Sequence, residues 1–253
     1  MGWVDSHCHL DFDDFEQFDL FAQLLSNGCE GVLIPATQVD FFDRVLALKD
    51  SYPDLVRIAL GLHPYFIADH DPSDIARLDA AISRFQPDAI GECGLDFMLD
   101  KDTHTQQLYF FRQQLELACS HGLPMVIHCR KAHDQLASEV SKANFQQGGF
   151  IHAFSGSTQQ ANRYINQGFV LGLGGALTYD RAKAMHKMVA ALPDDAYTLE
   201  TDSPDMPPSF ARNEINTPLN VPKIADYIAR LRNQSLEQVL LNSRDNFRRV
   251  LGE

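Results

Sequence analysis

Residues 124–129 read PMVIHC: a proline, the apolar run Met125, Val126 and Ile127, and then His128 where the run should continue. The segment is short, opens at a proline and has no polar alternation. It therefore reads as a strand buried on both faces, the pattern of a parallel sheet. The design recurs along the chain. GFIHAF (149–154) places His152 after Phe150 and Ile151, DAIGE (88–92) ends on Glu92, and YTLETD (197–202) ends on Asp202. GWVDSHCH near the start runs into His7 and His9, RIALGL (57–62) runs into His63, and GVLIPA (31–36) and FVLGLG (169–174) complete the set. These runs are rich in Ile, Val, Leu and Phe and bounded by Gly and Pro, as strands are.

Between the runs lie helix signals. Asp71-Pro72 offers an N-cap and an N1 proline, followed by Ile75, Leu78, Ile82 and Phe85 on one helical stripe. Leu108, Phe111, Leu115 and Ala118 repeat that spacing before Gly122 and Pro124 stop the helix. Ser157 with Gln160, and Ser235 with Gln238, read as capping boxes. Phe12, Phe15, Phe18 and Phe21 recur every three residues and read as one aromatic face packed on a sheet. Strands alternating with helices predict an all-parallel sheet. Eight such units in a chain of 253 residues fit a closed (β/α)8 TIM barrel, with residues 1–253 forming a single domain. No GxGxxG follows the first run, which argues against a dinucleotide-binding fold.

Bulk properties narrow the function. The net charge of −13 leaves no broad cationic face for a polyanion, so a nucleic acid would have to be gripped locally, by metal ions and a few cationic side chains. The five cysteines (Cys8, Cys29, Cys93, Cys119 and Cys129) are odd in number and scattered, which suits reduced thiols in a cytoplasm better than a disulfide framework. The start lacks a cationic segment followed by an apolar run, and no stretch is long and apolar enough to span a membrane. The expectation is a cytoplasmic enzyme with no membrane attachment and no obligate protein partner.

What the runs share is a polar, metal-competent residue at the C-terminal end: His7 and His9, His63, Glu92, His128, His152 and Asp202. In a barrel those ends surround one mouth. His7 and His9 are two apart and point the same way, with Cys8 opposed. An H-x-H alone is weak, and a lone histidine at a strand end is more often a hydrogen-bonded core residue. Four imidazoles and two carboxylates buried together without a cation, however, would cost far more than they return. They also exceed what one tetrahedral ion takes, so two ions with a carboxylate between them are expected. Mixed nitrogen and oxygen donors suit Zn, Mn, Fe, Co or Ni better than a purely Mg site.

DSHCHLD (5–11), GLHP (61–64), GECGLD (91–96), IHCR (127–130), IHAFSG (151–156) and ETDSP (200–204), in this order, resemble the TatD family of metal-dependent hydrolases. NVPKIADYIARL and NSRDNFRRVLG resemble the family's C-terminal helices, so the likeness covers essentially the whole chain. It implies a barrel with two divalent cations drawn from Zn, Mn, Mg, Ni or Co. His7, His9 and Asp202 would hold one, His128 and His152 the other, and Glu92 would bridge them. Asp202 would double as the base, with His63 for leaving-group protonation and Arg130 for phosphate binding as further candidates. The family's activity is often described as deoxyribonuclease, which implies a DNA end or another phosphodiester as substrate. Some relatives deacylate aminoacyl-tRNA, so an acyl or amide hydrolase is the alternative. Cys93, Cys129 and the HAFSG sequence depart from the family's usual residues without removing a ligand. The three cysteines that follow ligands, Cys8, Cys93 and Cys129, read as small buried hydrophobes. Glu200 could order a ligand histidine. GLGG (172–175) reads as a tight strand-to-loop turn.

Overall fold

A computed structural model describes residues 2–15 and 19–253. Eight strands form one parallel sheet in sequence order. They are β1 (Trp3–Asp5), β2 (Cys29–Pro35), β3 (Val56–Leu60), β4 (Ala89–Asp96), β5 (Met125–Arg130), β6 (Gly149–Ile151), β7 (Phe169–Leu173) and β8 (Tyr197–Leu199). Each falls on one of the eight apolar runs. The backbone N–H of Ser6 donates to Leu199 at 2.9 Å across the seam between first and last strands, so the sheet curls into a nearly closed (β/α)8 barrel. The helices are α1 (Leu20–Ser26), α2 (Phe42–Ser51), α3 (Asp74–Phe85), α4 (His104–His121), α5 (His133–Lys142), α6 (Thr158–Asn166), α7 (Lys183–Ala191), α8 (Val221–Arg232) and α9 (Leu236–Leu251).

Most local signals act as their chemistry dictates. Leu78 and Ile82 of α3 and Phe111, Leu115 and Ala118 of α4 are buried, and Gly122 caps α4 in the left-handed conformation. Ser157 and Gln160 form the full capping box. Ser235 makes only half of one, because the Gln238 amide donates to Asn242 instead.

Two expectations need correction. The helix after Asp71-Pro72 begins only at Asp74, because the Asp71 carboxylate accepts from the Ser73 N–H and holds a turn that precedes it. The phenylalanine stripe is not one face. Phe15 ends a short 3-10 turn, Phe12 stacks on His9 at 4.8 Å and Phe21 stacks on Tyr52 at 4.1 Å, while Phe18 lies outside the described residues.

The strands make a two-ended interior. Toward their N-terminal ends Val4, Leu33, Ala59, Ala89, Val126, Phe150 and Val170 pack against Phe247 of α9, which plugs the barrel floor. Toward the C-terminal ends the interior turns polar. A bulge between Ile90 and Cys93 shifts the β4–β5 register just where Glu92 stands. Gly91 and Gly94 permit the close approach there. A Cβ on Gly91 (φ +147°) would lie 2.4 Å from the Val126 carbonyl, and one on Gly94 (φ +144°) would lie 1.9 Å from that of His128.

Candidate metal centre

The six expected ligands and His63 meet at the mouth. His7, His9, His63, Glu92 and His152 are buried, and the Asp202 side chain remains 17% exposed. The His7 and His9 Nε2 atoms face each other at 3.3 Å. Glu92 Oε2 lies 3.2 Å from the first and 3.5 Å from the second. Asp202 Oδ1 lies at 3.6 and 3.7 Å from the same two atoms. A tetrahedral shell with bonds of about 2.0–2.1 Å has edges of about 3.3 Å. These four side chains therefore already stand at the spacing of one coordination shell.

Glu92 sends its other oxygen elsewhere. Oε1 lies 3.0 Å from His63 Nε2 and 3.3 Å from His128 Nδ1, so this carboxylate touches two separate donor clusters, one with each oxygen. Triads close enough to share an ion include His7–His9–Asp202, His7–Glu92–His152 and His63–Glu92–His128. The His128 and His152 rings stand 6.4 Å apart, each turned by a different carboxylate. Asp96 Oδ2, at 3.1 Å, takes the His128 Nε2–H and turns Nδ1 toward Glu92. Glu200 Oε1, 3.0 Å from His152 Nδ1, draws that ring toward β8, where it stacks on His7 at 3.6 Å and points Nε2 at Asp202 Oδ2, 3.5 Å away.

His63 differs from the others. Its Nδ1 accepts from the Tyr65 N–H at 3.0 Å, so the ring proton sits on Nε2, facing Glu92. Burial pulls its pKa down to about 4 against the carboxylate's influence, which keeps the ring neutral at working pH. A neutral ring in this tautomer offers Glu92 a proton and no lone pair.

Electrostatics at the mouth point to a bound cation. Burial would raise Glu92, yet His63, His7 and His128 hold its carboxyl well below the usual range. Asp202, which burial would also raise, is brought down to about 2 by His152, His7 and His9. In return His9 is pushed up to about 9, its burial outweighed by Glu92, Asp202 and Asp11, and His152 is raised well above the ordinary value by Glu200 and Asp202. The Nε2 atoms of His7, His9 and His152 all face carboxylate oxygens within 3.2–3.5 Å, so the donor set fits a divalent cation.

Glu200, expected to order a ligand histidine, contacts His152 at 3.0 Å and accepts the Ala153 N–H at 2.7 Å. Two further residues carry little or no signal in the sequence, and one of them, Asp96, orients His128. Asp5 ties the first strand to the last, accepting from His7 N, Thr201 N and the Thr201 hydroxyl. Burial raises its carboxyl to about 8. GLGG serves Glu200, since a Cβ on Gly172 would fall 2.0 Å from its Oε2. Cys8, Cys93 and Cys129 point away from the donors, toward Leu33 O, Val126 O and the Tyr164 hydroxyl, and burial pushes all three thiols up. Lys131, Ala153 and Asp202, each just past a strand, have φ of 56°, 43° and 59°, a concentration of strained backbone around the site. Arg130, more than half exposed, lies 3.5 Å from Asp96 Oδ2 at the edge of the mouth. No helix of the described residues is long and apolar enough to cross a membrane.

Similarity to known proteins runs the length of the chain. The profile of a family described as TatD related DNase matches residues 4–252. A protein of Escherichia coli K12 named as the uncharacterized metal-dependent hydrolase YjjV is 35% identical over 248 residues, covering 95% of each chain. The crystal structure of YjjV, a TatD homolog, superposes with a TM-score of 0.94 at 32% identity, covering 99% of this chain and 98% of that one. A protein of Dickeya dadantii named as the 3'-5' ssDNA/RNA exonuclease TatD is 29% identical over 230 residues, covering 88% of this chain and 87% of its own.

Proposed function

The chain belongs to the TatD family of metal-dependent hydrolases, and from that premise we propose that it is a phosphodiesterase that removes nucleotides from DNA ends. The observation that carries the reading is Glu92, with one oxygen at the His7–His9 cluster and the other at His128. In this reading His7, His9, Asp202 and Glu92 would hold one cation, and Glu92 with His128 would hold a second, beside His152. When bound, two close divalent cations lower the pKa of a water and neutralise charge developing on the ester oxygens. The mixed donor set suits Zn, Mn, Co or Ni, and Mg with more water.

The protein's own groups do the rest. Asp202, ionised down to about pH 2 and the most exposed carboxylate of the set, accepts the proton of the attacking water. The water oxygen bonds to phosphorus as the ester P–O bond breaks. His63, its Nδ1 fixed by the Tyr65 N–H, turns its Nε2 proton to Glu92 and steadies that carboxylate, and the departing alkoxide takes its proton from water. Arg130, more than half exposed and paired on one side with Asp96, steadies a phosphate. The exonuclease name of the Dickeya relative supports a nucleic-acid substrate, and five free thiols support a cytoplasmic setting.

The test is release of nucleotides from end-labelled single-stranded DNA, with Glu92→Ala and a closed circular strand as controls. Metal-dependent shortening from an end, absent in the variant and on the circle, is expected. Turnover of an ester or amide panel with no release from DNA would overturn the reading in favour of an acyl or amide hydrolase.

A further inference from the structure

Beside the metal centre lies a groove of about 620 Å³, within the range of roughly 300–1,000 Å³ typical of clefts that take small ligands. Its walls descend from the strands that carry the site. Arg130 and Lys131 follow His128 on β5, residues 155–157 follow His152 beyond β6, and Phe97 with Met98 follow Asp96 on β4. Three successive contacts join it to the centre. The Arg130 guanidinium is 3.5 Å from Asp96 Oδ2, that oxygen is 3.1 Å from His128 Nε2, and His128 Nδ1 is 3.3 Å from Glu92 Oε1.

The lining has two kinds of chemistry. Lys131 makes no ion pair among the described residues, and its φ of 56° puts it in a region a lysine seldom adopts. With Arg130 it places two adjacent cations at the mouth of a chain whose net charge is −13. The groove's carboxylate, Asp134, accepts from the Gln160 amide at 3.2 Å and keeps its charge, so the phosphate place lies at the Arg130–Lys131 end. Met98, 57% exposed, and Phe97 supply an apolar surface beside these charges. A phosphate and a flat base, linked and neighbouring, would use both.

We infer that this groove is the subsite for the nucleotide next to the scissile one, with its phosphate against Lys131 and Arg130 and its unpaired base against Met98 and Phe97. The inference rests on the phosphodiesterase reading. It explains how so acidic a protein would hold a polyanion: through one local phosphate contact and one stacked base. A base paired in a duplex would not be free to enter, so the groove selects a single strand.

The test separates binding from chemistry. Binding of a fluorescein-labelled phosphorothioate oligothymidylate, which resists hydrolysis, is measured by anisotropy on the metal-loaded protein. Wild type is compared with Lys131→Glu, Lys131→Arg and Met98→Ala. Turnover of bis(p-nitrophenyl) phosphate, too small to fill both places, reports the metal centre. The expected result is a Kd raised about tenfold by Lys131→Glu and restored by Lys131→Arg, with diester turnover within about twofold of wild type. Met98→Ala should weaken binding by about threefold. Binding that the variants leave unchanged, or no binding at all, overturns the subsite. Variant-sensitive binding with no hydrolysis of bis(p-nitrophenyl) phosphate or of end-labelled single-stranded DNA upholds the groove and overturns the phosphodiesterase reading instead.

Discussion

Val126 and His128 stand two residues apart on β5 and face the same barrel interior; Phe150 and His152 repeat the arrangement at β6. Val126 and Phe150 belong to the apolar floor closed by Phe247. His128 and His152 belong to a mouth of imidazoles and carboxylates. One step along each strand thus divides the molecule into an end that stabilises and an end that reacts. At the floor, burial is favourable by itself. At the mouth, burial is unfavourable unless each polar group finds a partner, and Asp5, Asp96 and Glu200 are the partners that the chain itself supplies. The separation lets the mouth carry strained backbone and crowded charge while the floor holds the barrel shut.

Substitutions at the two ends should separate in kind. Glu92→Gln should lower turnover about 1,000-fold or more, and at neutral pH the metal-free protein should lose some thermal stability, since the imidazoles that depress its carboxyl lose their charged partner. Calorimetry beside a turnover assay reads both, and a steep loss of stability would merge the two ends. Phe247→Ala should do the reverse. Opening a cavity in the floor should cost about 3–5 kcal/mol in urea unfolding, with turnover per folded molecule within about twofold of wild type. Asp96→Asn sits between them, because it frees the His128 ring without touching a cation. Metal affinity should fall about 10- to 100-fold in competition with a chelating dye.

Acidity should sharpen the contrast further. The raised pKa values of His9, at about 9, and His152 mean that both rings are protonated as pH falls through neutrality. Each proton must leave before its nitrogen can hold a cation. Affinity for Mn should therefore weaken on acidification by about tenfold per pH unit for each proton displaced, as read by dye competition at several pH values. Affinity that stays flat between pH 8 and 6 would remove these rings from the ligand set. The smallest effect belongs to the outer layer. Glu139 on α5 is paired with Arg112 and Lys142, which depress its carboxyl from 4.5 to about 2. A depressed carboxylate stabilises the fold above its unfolded pKa and loses that contribution as pH falls from about 4.5 toward 2. Its partners are half exposed, so Glu139→Gln should cost only about 1 kcal/mol at pH 7 and nothing near pH 2, measured by urea unfolding at both.

The sequence shows the barrel because its strands are buried on both faces, which leaves short apolar runs with little else to be. It shows where the polar mouth stands because His128, His152 and Asp202 end such runs. Relations that depend on register do not show. Asp96 sits in plain view in GECGLD, but its partnership with His128 follows from the shifted β4–β5 pairing that sets it opposite Arg130. The orientation of the His128 and His152 rings depends on which carboxylate contacts each. Gly172 reads as a turn glycine until Glu200, from a neighbouring strand, is found in the space its missing Cβ leaves. Local periodicity can mislead as well: Phe12, Phe15 and Phe21 share a spacing of threes, yet Phe12 stacks on His9 and Phe21 on Tyr52.

The central claim is that Glu92 joins two cations, one through each oxygen. Electron paramagnetic resonance of the protein loaded with Mn, with metal content measured on the same sample, tests it most directly. The account predicts two Mn per chain with a spin-coupled spectrum in the wild type, and loss of the coupling in Glu92→Gln. A single Mn per chain, or an uncoupled spectrum that Glu92→Gln leaves unchanged, would contradict it.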